Sequence, residues 1–184
     1  QFFDGIKSAE IQEILVKSAS DLIDLDHPNY QYVAARLLLF SVKKSLYGRM
    51  HETPLLKDHV VKCVEKGIYD REILNLYDDE EFDKLQEIID HNRDYLFTYA
   101  GLRQVVDKYL VQDRSTGSLY ETPQFMYLLI SATIFSKYPK EIRLDYVKKY
   151  YDAISKHKIN IPTPIMAGVR TPLRQYASCV LVDI

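Results

Sequence analysis

Several features are rare or missing in the 184-residue sequence, and each absence excludes a class of protein. There are two cysteines, Cys63 and Cys179, and no tryptophan. A secreted disulfide scaffold would carry more cysteines, so a reducing, cytoplasmic setting is the better interpretation. The sequence has no CxxC or HExxH pattern, and its five histidines are scattered. No metal site is therefore predicted.

Long apolar runs and a dominant charge are also missing. No apolar stretch approaches the roughly 20 residues that a transmembrane helix needs, so no membrane partner is expected. The formal net charge is -2, and the basic residues are spread along the chain. Nucleic-acid binding would require a basic face, so it is not predicted. With 47% hydrophobic and 27% charged residues, the chain can form one substantial core or two small ones.

The N-terminal third shows the period of amphipathic helices. The stretch "SAEIQEILVKSASDLID" (8–24) predicts one helix, with Ser8 as its N-cap. A second helix is predicted over 26–48, with Pro28 in its first turn and Gly48 at its end. The short connection favours antiparallel packing of the two. The face predicted for the first helix comprises Ile11, Ile14, Leu15, Ser18, Ala19 and Leu22.

Short helices are predicted next. The first spans 56–67, ends at Gly67 and places Cys63 near three valines, which favours a small buried apolar role for this cysteine. Two more short helices are predicted within 69–97, and Asp78 or Asp79 can cap the second. The acidic residues there could be imagined as a metal site. A solvated helix start, where the helix dipole favours carboxylates, is the preferred interpretation.

A turn and two longer helices follow. "YLV" and "SLY" flank "RSTG", and Gly117 can supply the positive φ of a small β-hairpin. Thr122 as a cap and Pro123 in the first turn begin a helix that is apolar nearly all round, which predicts a central core helix. Pro139 separates it from an amphipathic helix over 140–159, along which run Ile142, Tyr146, Lys149 and Tyr150.

The last 25 residues differ in character. Three prolines between 162 and 172 argue against a regular helix, and "CVLVDI" (179–184) has the composition of a buried strand. Such a strand has no partner in this sequence, so the chain is expected to be a piece of something larger. Thr163 and Ser178 offer hydroxyls on a stiffened segment that could hold an anion. The residues alone leave Cys179 open, as core filler or as a working thiol.

Three stretches together resemble one enzyme family. They are "PNYQYVAARLLLF" (28–40), "KYLVQDRSTGSLYE" (108–121) and "IPTPIMAGVRTPLRQYASC" (161–179). Over essentially its whole length the chain resembles the N-terminal portion of the large, catalytic subunit of bacterial class I ribonucleoside-diphosphate reductase. The resemblance implies a mainly α fold that leads into the first strand of an α/β barrel.

The resemblance also implies roles for single residues near the end of the chain. Cys179 matches the family's substrate-reducing cysteine, which forms a disulfide with a second, much later cysteine as the ribose 2′-hydroxyl leaves. Thr163 matches a residue that holds the nucleotide diphosphate, and Ser178 one that lines the substrate pocket. The family commonly has two serines before the cysteine. Here the first is Ala177, so a hydroxyl contact from that position is lost.

Regulation is implied for the N-terminal helices, which resemble the later part of the family's ATP-cone. Ser8 and Lys44 match positions that contact the effectors ATP and dATP. From the residues alone, Ser8 is a helix cap and Lys44 a solvated lysine near a helix C-terminus. The earlier part of the cone would precede Gln1, which predicts weak effector binding by this chain alone.

The resemblance divides the chain into 1–48 (cone), 49–160 (helical domain) and 161–184 (substrate loop and first barrel strand). It implies no cofactor in this chain and a radical or metal cofactor in a small partner subunit. The other implied partners are ribonucleoside diphosphates, thioredoxin or glutaredoxin, and a second large subunit. The radical-bearing cysteine and the proton-transfer carboxylate cannot be assigned here. The alternative function is a helical nucleotide-sensing or subunit-interaction module without catalysis.

Overall fold

The structure is a computed structural model that describes residues 3–48, 52–173, 176–179 and 181. Helices dominate these residues, which confirms the mainly α prediction. The α-helices are α1 Ser8–Asp21, α2 Tyr30–Tyr47, α3 Leu56–Glu65, α4 Glu72–Leu76, α5 Asp79–Ile88, α6 Tyr99–Gln104, α7 Pro123–Phe135, α8 Lys140–Ser155 and α9 Thr163–Gly168. A 3-10 helix, His91–Leu96, precedes α6, and a π-helical turn, Val105–Tyr109, follows it.

Helix α7 forms the centre of the core, as predicted. Pro123 occupies its first turn, and ten consecutive residues from Pro123 to Ala132 are buried. Helix α8 packs beside it through Val147, Tyr151 and Ile154. The tyrosines and isoleucine expected along α8 lie at the edge of this contact, with Ile142 and Tyr146 exposed.

The packing of α1 differs from the prediction in two details. Ser8 is the first helical residue, not the cap, and the backbone N–H of the preceding Lys7 donates to the Glu10 carboxylate over 2.9 Å. The face of α1 that packs against α2 is rotated relative to the predicted face, as shown by Val16, which is buried, and Leu15, which is 40% exposed. The Gln12 amide donates to the Leu37 carbonyl over 3.1 Å, which fixes this rotation.

Local signals set the ends of several helices as expected. Gly48 ends α2 in the left-handed conformation, with φ 74°. Gly67, with φ 69°, ends α3, where the Ile68 N–H reaches back to the Cys63 carbonyl at 2.8 Å. Asp78 caps α5 by accepting from the Glu81 N–H over 3.0 Å.

The predicted hairpin is reduced to a single antiparallel bridge, between Gln112 and Leu119. Gly117 turns the chain with φ 72°. Within the described ranges there is no regular strand. Hydrogen bonds of the Gln112 and Arg114 side chains to carbonyls of the preceding π-helical turn hold one side of this turn.

The C-terminal stretch corrects one prediction. The prolines do not prevent a helix, because Pro164 lies in the first turn of α9, where its missing N–H has no intrahelical partner to lose. Most of the expected strand at 179–184 lies outside the described residues, which include only Cys179 and Leu181 of it. Both are exposed, and neither belongs to a strand.

None of the helices formed by the described residues is long and apolar enough to cross a membrane.

Candidate functional site

The first predicted site residue, Thr163, begins α9 and is exposed. Its hydroxyl oxygen lies 3.5 Å from the phenol oxygen of Tyr109, the last residue of the π-helical turn. The Gln104 amide also donates to that phenol, over 3.3 Å. These bonds, the one with Thr163 foremost, lower the pKa of Tyr109. Two hydroxyls from separate elements therefore meet at the start of α9.

A buried ion pair lies behind α9. Arg170 is 2% exposed, and Glu121, just before α7, is completely buried. The arginine Nε donates to the Glu121 Oε2 over 2.8 Å, and its Nη2 donates to the other carboxylate oxygen. This bidentate geometry is the strong form of a charge-assisted hydrogen bond.

The same guanidinium also holds backbone on two elements. Its Nη1 donates to the Met166 carbonyl over 2.5 Å, in α9, and its Nη2 to the Tyr109 carbonyl over 3.0 Å. The Arg170 carbonyl in turn accepts from the Asp70 N–H over 3.0 Å. One side chain thus ties α9 to the π-helical turn and, through Glu121, to the start of the core helix.

Further groups complete the surroundings of Glu121. Its carboxylate accepts from the Tyr69 hydroxyl over 2.7 Å and from the Val111 N–H over 2.8 Å. Because the Tyr69 proton points to Glu121, the His59 Nε2 at 3.1 Å must be the donor to the Tyr69 oxygen. Burial lowers the pKa of His59 to about 4 and raises that of Tyr69 well above its usual value. His59 is therefore neutral, and the network carries one compensated charge pair.

The two cysteines contrast with each other. Cys63 is 4% exposed, and burial raises the pKa of its thiol to about 11, so the predicted core role is confirmed. Cys179 is a free, exposed thiol, and the Ser178 hydroxyl lies 3.9 Å from its sulfur. Neither Ser178 nor Cys179 has a hydrogen bond to Thr163 within the described part of the chain. Cys179 is thus the accessible thiol of the two.

The two predicted effector residues line one groove. Ser8 and Lys44 lie on α1 and α2, and the groove of about 850 Å³ between these helices and α6 contains both. Lys17 and Arg103 also line it, and Arg103 is paired with Asp107 at 3.1 Å. The groove therefore presents lysine, arginine and serine side chains, which are residue types that bind phosphate groups, together with one glutamate.

Sequence reasoning did not identify Tyr109, Glu121 and Arg170 as parts of a site. Arg170 belongs to the stretch "GVRTP", but nothing in that stretch shows which carboxylate pairs with it. Glu121 lies 49 residues earlier, and only the fold brings the two together. Among the described residues no group of three or more histidine, cysteine or acidic side chains is arranged to hold a metal ion.

Comparisons with known proteins point to one enzyme family. The sequence profile of the family described as "Ribonucleotide reductase, all-alpha domain" matches residues 95–174. The chain is 55% identical over 183 residues to ribonucleoside-diphosphate reductase 1 subunit alpha of Escherichia coli, which covers 100% of this chain and 24% of that protein. The subunit alpha of Haemophilus influenzae is also 55% identical over 183 residues, with the same coverage.

A more distant relative gives the same result. The subunit alpha of Enterobacteria phage T4 is 45% identical over 180 residues, which are 98% of this chain and 24% of that protein. The chain thus spans about a quarter of the length of the relatives it matches. On these grounds the chain belongs to the family of ribonucleoside-diphosphate reductase alpha subunits, of which it represents one part.

Proposed function

We propose that this chain supplies one redox thiol and part of the phosphate-binding surface for the reduction of ribonucleoside diphosphates to deoxyribonucleoside diphosphates. The observation that carries this proposal is the 55% identity, along the whole chain, with proteins named for that reaction. It is supported by an accessible Cys179 that follows the segment of Thr163 by sixteen residues.

In this proposal, Cys179 acts with a second cysteine of the complete protein. The two thiols give up two protons and two electrons and become a disulfide. The ribose 2′-carbon loses its hydroxyl as water and gains hydrogen, so the electrons balance. The other cysteine of this chain, Cys63, is buried and is not the partner.

Thr163 and Ser178 provide neutral hydroxyls in this scheme. Thr163 would donate to the diphosphate, and its exposure leaves the hydroxyl accessible. Ser178 would line the pocket beside the reacting thiol. At position 177 an alanine can offer only its backbone groups.

The remaining participants are proposed from the family. A small subunit would carry the radical or metal cofactor, and thioredoxin or glutaredoxin would re-reduce the disulfide. A second large subunit would complete a homodimer in the cytoplasm. The divisions at 48 and 160 stay predictions.

Substitution of Cys179 in the complete alpha subunit, assayed with its radical-generating subunit, tests the proposal. Cys179→Ser should lower turnover of a ribonucleoside diphosphate by about a thousandfold or more, since the serine cannot form the disulfide. Cys63→Ala is the matched control and should retain turnover. Retained turnover in Cys179→Ser would contradict the proposal. The 184-residue chain by itself should show no turnover.

We also propose that the groove lined by Ser8 and Lys44 binds ATP or dATP. The observation that favours this second function is that helices α1 and α2 bring both residues, with Lys17, to one groove. Calorimetry of the complete subunit should show weaker binding of both nucleotides after Lys44→Ala. Lys62→Ala, on the distant α3, should leave binding unchanged. Equal affinity in all three proteins would contradict this role.

A further inference from the structure

Arg170 belongs to the series that identifies the substrate segment, yet the proposed reaction gives it no role. It lies seven residues after Thr163 and nine before Cys179. Its side chain is buried, so it does not touch a nucleotide that binds at the surface. Its contacts lead to the Thr163 hydroxyl along two routes.

The first route passes through Tyr109. The Arg170 guanidinium holds the carbonyl of this residue at 3.0 Å, while the phenol of the same residue lies 3.5 Å from the Thr163 hydroxyl. A π-helical turn is an uncommon conformation that often occurs at functional positions, and here it ends at Tyr109.

The second route passes through α9 itself. Arg170 binds the Met166 carbonyl, three residues after Thr163 in this six-residue helix. So short a helix is not stable by itself, and its orientation depends on tertiary contacts. The guanidinium is in turn oriented by the Glu121 carboxylate, at the entry to α7.

We propose that Arg170, oriented by Glu121, is a positioning residue that fixes the Thr163 hydroxyl for the substrate diphosphate. The inference rests on the proposed function of Thr163. It assigns to the arginine of "GVRTP" a task in nucleotide binding that it performs without touching the nucleotide.

The chain offers a matched control in a second buried pair of the same chemistry, Arg143 with Glu81. The Arg143 Nε donates to Glu81 over 2.6 Å, and its other nitrogens donate to two backbone carbonyls. This pair joins α5 and α8 and has no described contact with α9 or Thr163.

The experiment compares Arg170→Lys with Arg143→Lys in the complete alpha subunit, assayed with its partner subunit. Lysine keeps the positive charge but cannot form the bidentate contact with the carboxylate. Arg170→Lys should raise KM for a ribonucleoside diphosphate by about tenfold to a hundredfold, with a much smaller change in kcat. Arg143→Lys should leave KM unchanged. A purely structural role would affect both variants alike, or lower the amount of active enzyme without changing KM.

An unchanged KM in a folded Arg170→Lys protein, or equal rises in both variants, would overturn the proposal. If Arg170→Lys does not fold, Tyr109→Phe tests the first route with the ion pair intact, and an unchanged KM there would overturn the positioning of Thr163 through Tyr109. Thr163→Ala separates the two levels. If KM does not rise in Thr163→Ala, the proposed role of Thr163 in diphosphate binding is refuted. If KM rises in Thr163→Ala but not in Arg170→Lys, only the positioning role of Arg170 is refuted.

Discussion

Two regions of the molecule contain a buried arginine–glutamate pair, and the pairs are alike in chemistry but not in surroundings. The Arg170 guanidinium donates three hydrogen bonds to the Glu121 carboxylate, and the Arg143 guanidinium donates two to the Glu81 carboxylate. In both pairs the arginine donates in addition to two backbone carbonyls. The shared arrangement satisfies buried charge, which would otherwise be costly.

The difference lies in which carbonyls are held. Arg143 binds those of Leu76 and Ser136, at the ends of α4 and α7, so it joins elements of the core. Arg170 binds those of Tyr109, in the π-helical turn, and Met166, in α9. Two pairs of the same chemistry therefore join different parts of the molecule: core helices in one place, and α9 with the π-helical turn in the other.

The largest effect on stability should come from removing the arginine of the more buried pair. Arg170→Met leaves Glu121 buried with no cation, and the loss in free energy of unfolding should be about 3–5 kcal/mol. Arg143→Met should cost less, because the Arg143 and Glu81 side chains are 10% and 3% exposed, whereas those of Arg170 and Glu121 are 1% and 0% exposed. Urea denaturation followed by circular dichroism measures both. A larger loss for Arg143→Met would invert the comparison.

Acid should affect the two regions unequally. The folded-state pKa of His59, lowered to about 4 by burial, lies below its usual 6.5. Between these values the unfolded chain binds the proton and the folded chain does not, so stability falls as pH decreases from 6.5 toward 4. This contribution reaches at most about 3 kcal/mol.

His59→Gln should remove that part of the acid-dependent loss of stability. Arg143→Lys should leave the slope of stability against pH unchanged. Denaturation midpoints of both variants and the unchanged chain, measured between pH 4 and 7, check this. An unaltered slope in His59→Gln would show that another group controls acid sensitivity.

A smaller effect is expected at the turn that leads into Tyr69. Gly67 ends α3 with φ 69°, so Gly67→Ala should destabilise the fold by about 1–2 kcal/mol. Gly67→Asn should cost less, since asparagine tolerates the left-handed conformation better. Thermal unfolding of the two variants tests the order, and equal losses would mean that the conformation is not the cause.

The smallest effect is expected from an exposed pair next to the Arg143 region. Lys140 donates to the Asp78 carboxylate, and both side chains are about half exposed. Because exposed pairs contribute little, Lys140→Ala should not measurably change the unfolding midpoint. A clear decrease in the unfolding midpoint would show that the exposed pair also stabilises this region.

Features set by a few neighbouring residues could be predicted from the sequence. The cap at Asp78 depends on residues three positions apart, and the ends at Gly48 and Gly67 depend on one glycine each. The core helix α7 follows from its proline start and its apolar composition on all faces. Such signals do not require knowledge of what packs against them.

Features set by tertiary contacts could not be predicted. The rotation of α1 is fixed by the contact of Gln12 with α2, and the place of Ser8 in the first turn shifts its expected role by one position. The pair of Arg170 and Glu121 forms across 49 residues. The family resemblance indicated Ser8 and Lys44 as effector residues, and the fold brings both to one groove. The resemblance did not indicate which side chains hold α9.

The most direct test of the difference between the two pairs is amide hydrogen exchange in the complete alpha subunit, read from peptides that cover 163–169. If Arg170 fixes α9, exchange in these peptides should be at least about tenfold faster in Arg170→Lys, and unchanged in Arg143→Lys. Equal protection of this helix in both variants would contradict the account.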